Sequence, residues 1–514
     1  MRADRPAHDD DGQSVSLWMA ETEPRRAPRL EGAIEVDVCV VGAGIAGLST
    51  AYCAACEGLS VVVVDDGAVA GGQTKRTTAH LSSAIDDHFT AIERVHGVAG
   101  ARAAAASHAA AIDRIESIVA DEHIDCAFER VDGYLCLAGD ATPDWLDREL
   151  AAARRAGLEV EIARRSPVAT LEGPCLRFPR QAQLHPLRYA AGLADAAERR
   201  GARIFGATHV DAIEPRADGR IRVASHASGA HVDARFAVVA TNAPIHERVA
   251  VHTKQVPHRT YAMAFALAAG AIPRALYWDT LDPYHYVRIH PGEREDVLVS
   301  GGEDHRIGAL TAGAAAERYE RLEDWTRRHF PVIEAERYRW SGEVLETIDG
   351  LAFIGPTPSG PANLLMASGD SGMGMTHGTI AGILLTDLVL GRENPWARWY
   401  DPARRPLAAA PHYVSDTVET ALAYGEWLKL VEGDPHALAP NTGGVFGWGI
   451  HRRAIYCDPD GKLHVRSAVC PHLGGLVGWN DAEKTWDCPC HGSRFDRYGR
   501  VVQGPANADL DDVS

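Results

Sequence analysis

Near its C-terminus the chain reads Cys470-Pro-His472 and, after 15 intervening residues, Cys488-Pro-Cys490-His491. Two thiols and two imidazoles on Pro/Gly-rich loops make a metal-ligand set. A tetrahedral zinc ion uses the same ligands, so ligand type alone does not choose the metal. One Cys and one His on each loop also suits a [2Fe–2S] cluster, both thiolates on one iron and both imidazoles on the other. Gly474, Gly475 and Gly492 would then leave backbone N–H groups to donate to the sulfides. A second pattern lies near the other end: Gly42, Gly44 and Gly47, spaced by Ala43, Ile45 and Ala46, form GAGIAG. The first glycine permits a tight turn, the second lets a pyrophosphate approach the backbone, and the third lets helix and strand pack closely. Asp65 stands where an acidic side chain can bind a ribose hydroxyl.

Particular elements must position these residues. From Val36, the run VDVCVVGAGIAGLSTAYCAACEGLSVVVVDD predicts a strand, a glycine turn, an Ala-rich helix and a second strand. This is one βαβ unit of a parallel sheet covered on both faces. Its helix N-terminus would turn N–H groups and the positive dipole end toward the phosphates. A second Ala-rich helix is expected from about Ala99 to Ala120, with strands at Phe236–Ala240, Tyr284–Ile289 and Val297–Ser300. SGMGMTHG opens another helix, which Gly391 stops. Residues 1–35 read as a polar arm and 36–393 as the main domain. NPWARWYDPARRP and the helical stretch VSDTVETALAYGEWLKLVEG read as a linker over 394–437, leaving 438–514 as a small domain of short strands.

The glycine-turn region resembles a known family. Residues 15–391 are similar to the D-amino-acid-oxidase-like family of FAD-dependent amine oxidoreductases. The likeness rests on SLW and P-x-L before the first strand, GGQTKRTTAHLS at 71–82, ATHV at 207–210, VVATNAP at 238–244, DGLAFIG at 349–355 and SGMGMTHG at 371–378. It implies a Rossmann-like α/β FAD-binding domain with an α+β substrate domain. It also implies flavin contacts from Thr74, Arg76 and Thr78, from Val210 and Thr241, and from Gly372, Met373, Gly374 and Met375. No Cys follows WSGE at 340–343, so the FAD is expected to be non-covalent. There is no second GxGxxG, which points to electrons from an organic substrate rather than from NAD(P)H.

About residues 440–510 resemble the Rieske family, through CPHLGG, CPCHGSRFD and GPA at 504–506. The resemblance implies a small all-β domain whose ligands are Cys470, His472, Cys488 and His491, at an exposed tip. High-potential relatives bridge the middle Cys of the second loop to a Cys of the first, and carry a Tyr two residues after the loop's Ser. Here Gly475 and Phe495 stand at those places, while Ser493 remains. Cys490 is therefore expected to be a free thiol, and the potential to lie toward the negative end of the roughly −150 to +300 mV Rieske range.

On the substrate side, alternation places Tyr284, Tyr286, Arg288 and His290 on one strand face. The family resemblance suggests Arg288, with Tyr286, as the clamp for a substrate carboxylate. The expected reaction is oxidation of a C–N bond of a small amine or amino acid, with electrons passing to the fused cluster and on to an acceptor. An oxygen-dependent oxidase with a structural Rieske domain, or an electron-transfer module serving a protein partner, are the alternatives. Composition narrows the rest. The 514 residues are 46% hydrophobic and carry 52 Lys and Arg against 70 Asp and Glu, a formal charge of −18. Such a balance disfavours nucleic acid and anionic membranes. No apolar run is long enough to span a bilayer, and the N-terminus lacks an apolar h-region, so a cytoplasmic location is expected. Cys39, Cys53, Cys56, Cys126, Cys136 and Cys175 sit among apolar neighbours and read as small buried hydrophobes.

Overall fold

Val61–Val64 is four consecutive valines, all buried, as expected of a strand covered on both faces. It pairs in parallel with Ala33–Val41, which pairs in parallel with Ala230–Val239 on its other side. This computed structural model describes residues 12–139, 141–246, 251–292, 294–307, 314–405, 427, 431 and 433–513. The first sheet runs in the order 353–356, 364–368, 230–239, 33–41, 61–64, 203–205, with a hairpin at one side. Helices Ile45–Cys56 and Gly374–Val389 cross on one face of it. An added Cβ at Gly378 would lie 2.8 Å from Ile45 and one at Gly382 2.7 Å from Ser49, so small residues set how closely the two backbones approach.

The expected long helix runs over His88–Asp121, further back than its Ala-rich core, and kinks where Gly97 takes φ 68°. The expected strands lie within Ala230–Val239, His285–His290 and Glu295–Arg306. The latter two belong to a second, nine-stranded sheet centred on Gln255–Ala268, Glu295–Arg306 and His285–His290. Beyond it the chain forms two small antiparallel sheets, of three strands over 442–467 and of four over 478–503. The expected linker helix at 414–433 falls, apart from Trp427, Val431 and Gly433, outside the described residues.

The described part of the N-terminal arm is packed. Trp18 is fully buried, its indole N–H donating to the Thr77 carbonyl at 2.7 Å. Ser14 donates to Glu483 in the C-terminal part and accepts from Arg76 in the main part.

Candidate active site and cluster site

The glycine turn is held by backbone proximity. Gly42 has φ 107°, and a Cβ on it would collide with the Ala240 carbonyl. A Cβ on Gly47 would collide with the Gly42 carbonyl, so this glycine closes helix onto strand. Gly44 differs: a Cβ there would meet only Thr74 Oγ1, at 3.4 Å, because the space before the turn is open. Helix Ile45–Cys56 starts at Gly44 and helix Gly374–Val389 at Met373, neither with a side-chain cap. Both starts face one cavity. Two helix starts over a cavity floored by glycine, the first with its Ile45 amide donating to Thr74 Oγ1, suit the anionic and carbonyl groups of a flavin dinucleotide.

That cavity gathers most of the expected cofactor residues. Gly42, Gly44, Ala46 and Asp65 line it from the first βαβ unit, and Thr74, Arg76 and Thr78 from the segment that follows. Val210 and Thr241 line one side, Gly372, Gly374 and Met375 the other. Ala43, Gly47 and Met373 do not. The Ala43 amide is engaged by Asp65 Oδ2 at 2.6 Å, and Gly47 is turned into the strand. Met373 supplies the first carbonyl of its helix to His377 N and Thr376 Oγ1. Asp65 also accepts from Gly67 N, and burial, with Asp66 adding to it, raises its carboxyl to about 6.

Tyr286 lines the cavity; Arg288 does not. The Arg288 guanidinium is fully buried. It donates to the carbonyls of Thr78 (2.6 Å) and Leu184 (2.9 Å) and to Gln183 Oε1, with Trp18 stacked 4.8 Å away. It fixes the Thr77–Thr78 segment and is not available to a substrate carboxylate. The acidic groups near this wall were not anticipated. Tyr284 donates to Asp86 at 2.8 Å, and Asp86 lies against the face of Gly372 that lacks a side chain. Burial raises Asp86 to about 7 and Asp304 and Asp370 to about 6.

In the C-terminal part the four expected ligands come together. The Cys470 and Cys488 thiols are both buried, 2% exposed each. The His472 and His491 rings lie 5.0 Å apart, nearly perpendicular. A pair of thiols beside a pair of imidazoles is the donor set of a [2Fe–2S] cluster with mixed ligation. The loop glycines act otherwise than expected. Gly474 N and Gly492 N donate to the Cys470 and Cys488 carbonyls, in left-handed turns. Gly475 makes room for sulfur: a Cβ there would lie 2.7 Å from Cys490 Sγ and 2.9 Å from Cys488 Sγ. Ser493 accepts from Ala506 N at 2.9 Å through its hydroxyl and from Cys488 N at 2.8 Å through its carbonyl. None of the ten cysteines is in a disulfide.

The ligand tip is covered on its His491 side, while Pro471 and Leu473 stay exposed and His472 is half-buried. His491 keeps 7% of its surface, and His252 from the main part packs against both ligand rings, at 4.8 and 5.4 Å. Around this contact runs a polar seam. Arg259 meets Asp487 at 2.8 Å and Gln503 donates to Glu343 at 2.5 Å, while Gln73 donates to Gln503 at 2.6 Å. Burial works against ionising Asp487, but Arg494 and Arg259 hold its carboxyl below the usual range. Burial pushes Glu343 up to about 8 despite Arg259. Gln503, Gly504 and Ala506 reach into the cavity that holds the glycine turn.

The comparisons with known proteins match this geometry. The family described as FAD dependent oxidoreductase matches residues 37–388. The chain belongs to this family. Its C-terminal part is a Rieske [2Fe–2S] domain, matched over residues 431–514. The oxidoreductase is 30% identical over 495 residues to the Rieske 2Fe-2S iron-sulfur protein YhfW of Bacillus subtilis, with 96% of each chain covered. It is 25% identical to gamma-glutamylputrescine oxidoreductase of Escherichia coli, over 78% of this chain and 93% of that one. Glycine oxidase from Geobacillus kaustophilus shares the fold, with TM-score 0.60 and 19% identity, over 72% of this chain and 99% of that one. The chain is thus an FAD-dependent oxidoreductase enzyme whose cofactors are FAD and a [2Fe–2S] cluster. Among the described residues, no helix is long and apolar enough to cross a membrane.

Proposed function

We propose that the enzyme oxidises the C–N bond of a small amine or amino acid and passes the electrons within the chain to its Rieske cluster, and from there to a one-electron acceptor. One observation carries this reading: the closing loop of the Rieske domain and the substrate-side Tyr286 line the same cavity as the glycine turn. Bound FAD would take a hydride from the carbon beside nitrogen, and the cluster would carry one electron at a time. The substrate loses a hydride and a proton, and the imine formed is hydrolysed by water.

The chain's own residues favour an amine recognised by its positive charge. Arg288 is withdrawn from the cavity and its guanidinium is engaged by three acceptors, whereas Asp86, held by Tyr284, stands directly against Gly372, which lines the cavity. Tyr286, hydrogen-bonded to Thr260 at 3.3 Å, walls the same side. An ionised Asp86 attracts an ammonium group and accepts its proton, leaving the neutral amine that donates hydride. The name of the gamma-glutamylputrescine oxidoreductase relative also supports an amine substrate. Cytoplasmic residence is part of the same proposal, since a chain with none of its ten cysteines in a disulfide suits a reducing compartment.

The test is the pH dependence of KM for a cationic amine. Asp86 is neutral below about 7 and anionic above it, while an alkylammonium stays charged throughout. KM should therefore fall as pH rises from 6 to 8, and Asp86→Asn should flatten the profile. A flat wild-type profile rejects the role of Asp86. Steady turnover with oxygen that ignores the cluster would favour an oxidase with a structural Rieske domain.

A further inference from the structure

We propose that His252, a residue of the oxidoreductase part, is a positioning residue that holds the two Rieske ligand histidines in one fixed pose toward the FAD cavity. The inference rests on the reading that electrons pass between the two cofactors within one chain. Its basis is a cluster of three imidazoles drawn from two domains. The ring of His252 lies 4.8 Å from that of His472 at 70°, and 5.4 Å from that of His491 at 64°. The two ligand rings are 5.0 Å apart at 85°. All three contacts are edge-to-face, the arrangement aromatic rings prefer. A ring held on two perpendicular neighbours restricts both.

His252 is itself braced from the flavin side. It is 3% exposed and starts the short turn His252–Lys254. Its Nε2 lies 3.1 Å from the Pro244 carbonyl, which only accepts, so Nε2 carries the proton and donates. Pro244 ends the 238–244 motif, whose Thr241 and Asn242 line the cavity. On the other side, Lys254 Nζ donates to the carbonyls of Pro402 and Arg404, and Lys254 O accepts from Ile348 N. The imidazole therefore links a turn that lines the FAD cavity to both histidine ligands, through one hydrogen bond and two ring contacts.

The docking around it leaves no room to slide. Beside His491, a Cβ on Gly492 would lie 2.6 Å from Glu343 Oε1 and 3.0 Å from Pro257. A Cβ on Gly504 would lie 3.0 Å from Ile245, one residue past Pro244. The two domains thus approach closely at Ile245 and Pro257, which bracket His252 in the chain. Each transfer would take one electron from reduced FAD to the cluster. His252 is neither oxidised nor reduced, and acts by orientation alone. Groups that orient metal ligands from outside are worth roughly 10–100-fold when removed.

The experiment uses the full-length protein loaded with FAD and iron. The bound FAD is reduced anaerobically by light with EDTA as the sacrificial donor, and electron arrival at the cluster is followed by EPR. A parallel sample reduced with dithionite gives the cluster's EPR g-values without any transfer step. His252→Ala should slow flavin-to-cluster transfer about 10-fold or more and shift the g-values, with FAD and iron content unchanged. His252→Phe keeps a ring against both imidazoles and should restore most of the rate and the wild-type signal. A wild-type rate and signal in His252→Ala overturn the proposal. Should His252→Ala lose iron, His252→Phe decides: retained iron with the wild-type signal supports the role, and loss of both overturns it. If the wild-type protein never moves electrons from FAD to cluster, the functional reading fails. The g-values of His252→Ala then still judge the placement of His252.

Discussion

At the Gly42–Gly47 turn, position is set by the absence of side chains. Strand, turn and helix touch where a single Cβ on Gly42 or Gly47 would strike a backbone carbonyl. At the seam between the oxidoreductase and Rieske parts, position is set by buried charge. Arg259, Asp487 and Arg494 are withdrawn from water and paired with one another, and the buried Glu483 pairs with Arg76. The two regions share one cavity but fail in different ways. A turn made by close contact tolerates no added volume, whereas a buried ion pair tolerates volume but not the loss of one partner. The turn shapes one wall of the cavity; the seam fixes which face of the Rieske domain borders it.

The largest expected effect separates two glycines of the turn. Gly47→Val should give protein without a folded oxidoreductase part, because the side chain has only the Gly42 carbonyl to displace. Gly44→Val should fold and lose flavin absorbance, since its side chain would fill only the open space where the pyrophosphate meets the backbone. Circular dichroism and FAD content distinguish the pair, and equal behaviour of the two would erase the distinction between structural and binding glycines.

Next comes the seam. Arg259→Leu leaves Asp487 with one buried cation fewer and should destabilise the domain contact by about 3–5 kcal/mol, read as a lower denaturant midpoint. The double variant Arg259→Leu with Asp487→Leu should recover part of the loss. Additivity of the two would mean that the pair is not coupled.

The smallest effect concerns the cluster's surroundings. Gly475→Cys places a thiol beside Cys490, where an added Cβ already lies 2.7 Å from its sulfur. It should close a disulfide and raise the cluster midpoint relative to wild type. The wild-type midpoint itself is expected toward the negative end of the roughly −150 to +300 mV range. A value above about +200 mV would contradict the inference drawn from Gly475 and Phe495.

The parts legible from sequence were those built by neighbours in the chain. Gly42 to Asp65 form one βαβ unit, and the Cys/His pairs sit on two loops separated by one short hairpin. Arg288 was misread because alternation tells which face a residue takes, not what covers that face. Trp18, Leu184 and Thr78, far away in sequence, cover it. The loop glycines were misread for a related reason: Gly474 and Gly492 have amides that close turns on the Cys carbonyls. His252 carries no local signal at all, being a single histidine in a loop. Of the seam, Asp487 and Arg494 flank CPCH, and Gln73 and Glu343 stand in GGQTKRTTAHLS and WSGE, but nothing in the sequence tells that these segments meet.

The central claim is that substrate electrons reach the cluster through the flavin of the same chain. Its most direct test is anaerobic mixing of the loaded enzyme with a panel of primary and secondary amines, and separately with NADH, while the flavin and cluster bands are followed apart. The account predicts that at least one amine bleaches the flavin first and the cluster second, the second step having a rate independent of protein concentration. Bleaching by NADH and by no amine, or a cluster that stays oxidised beside reduced flavin, would contradict it.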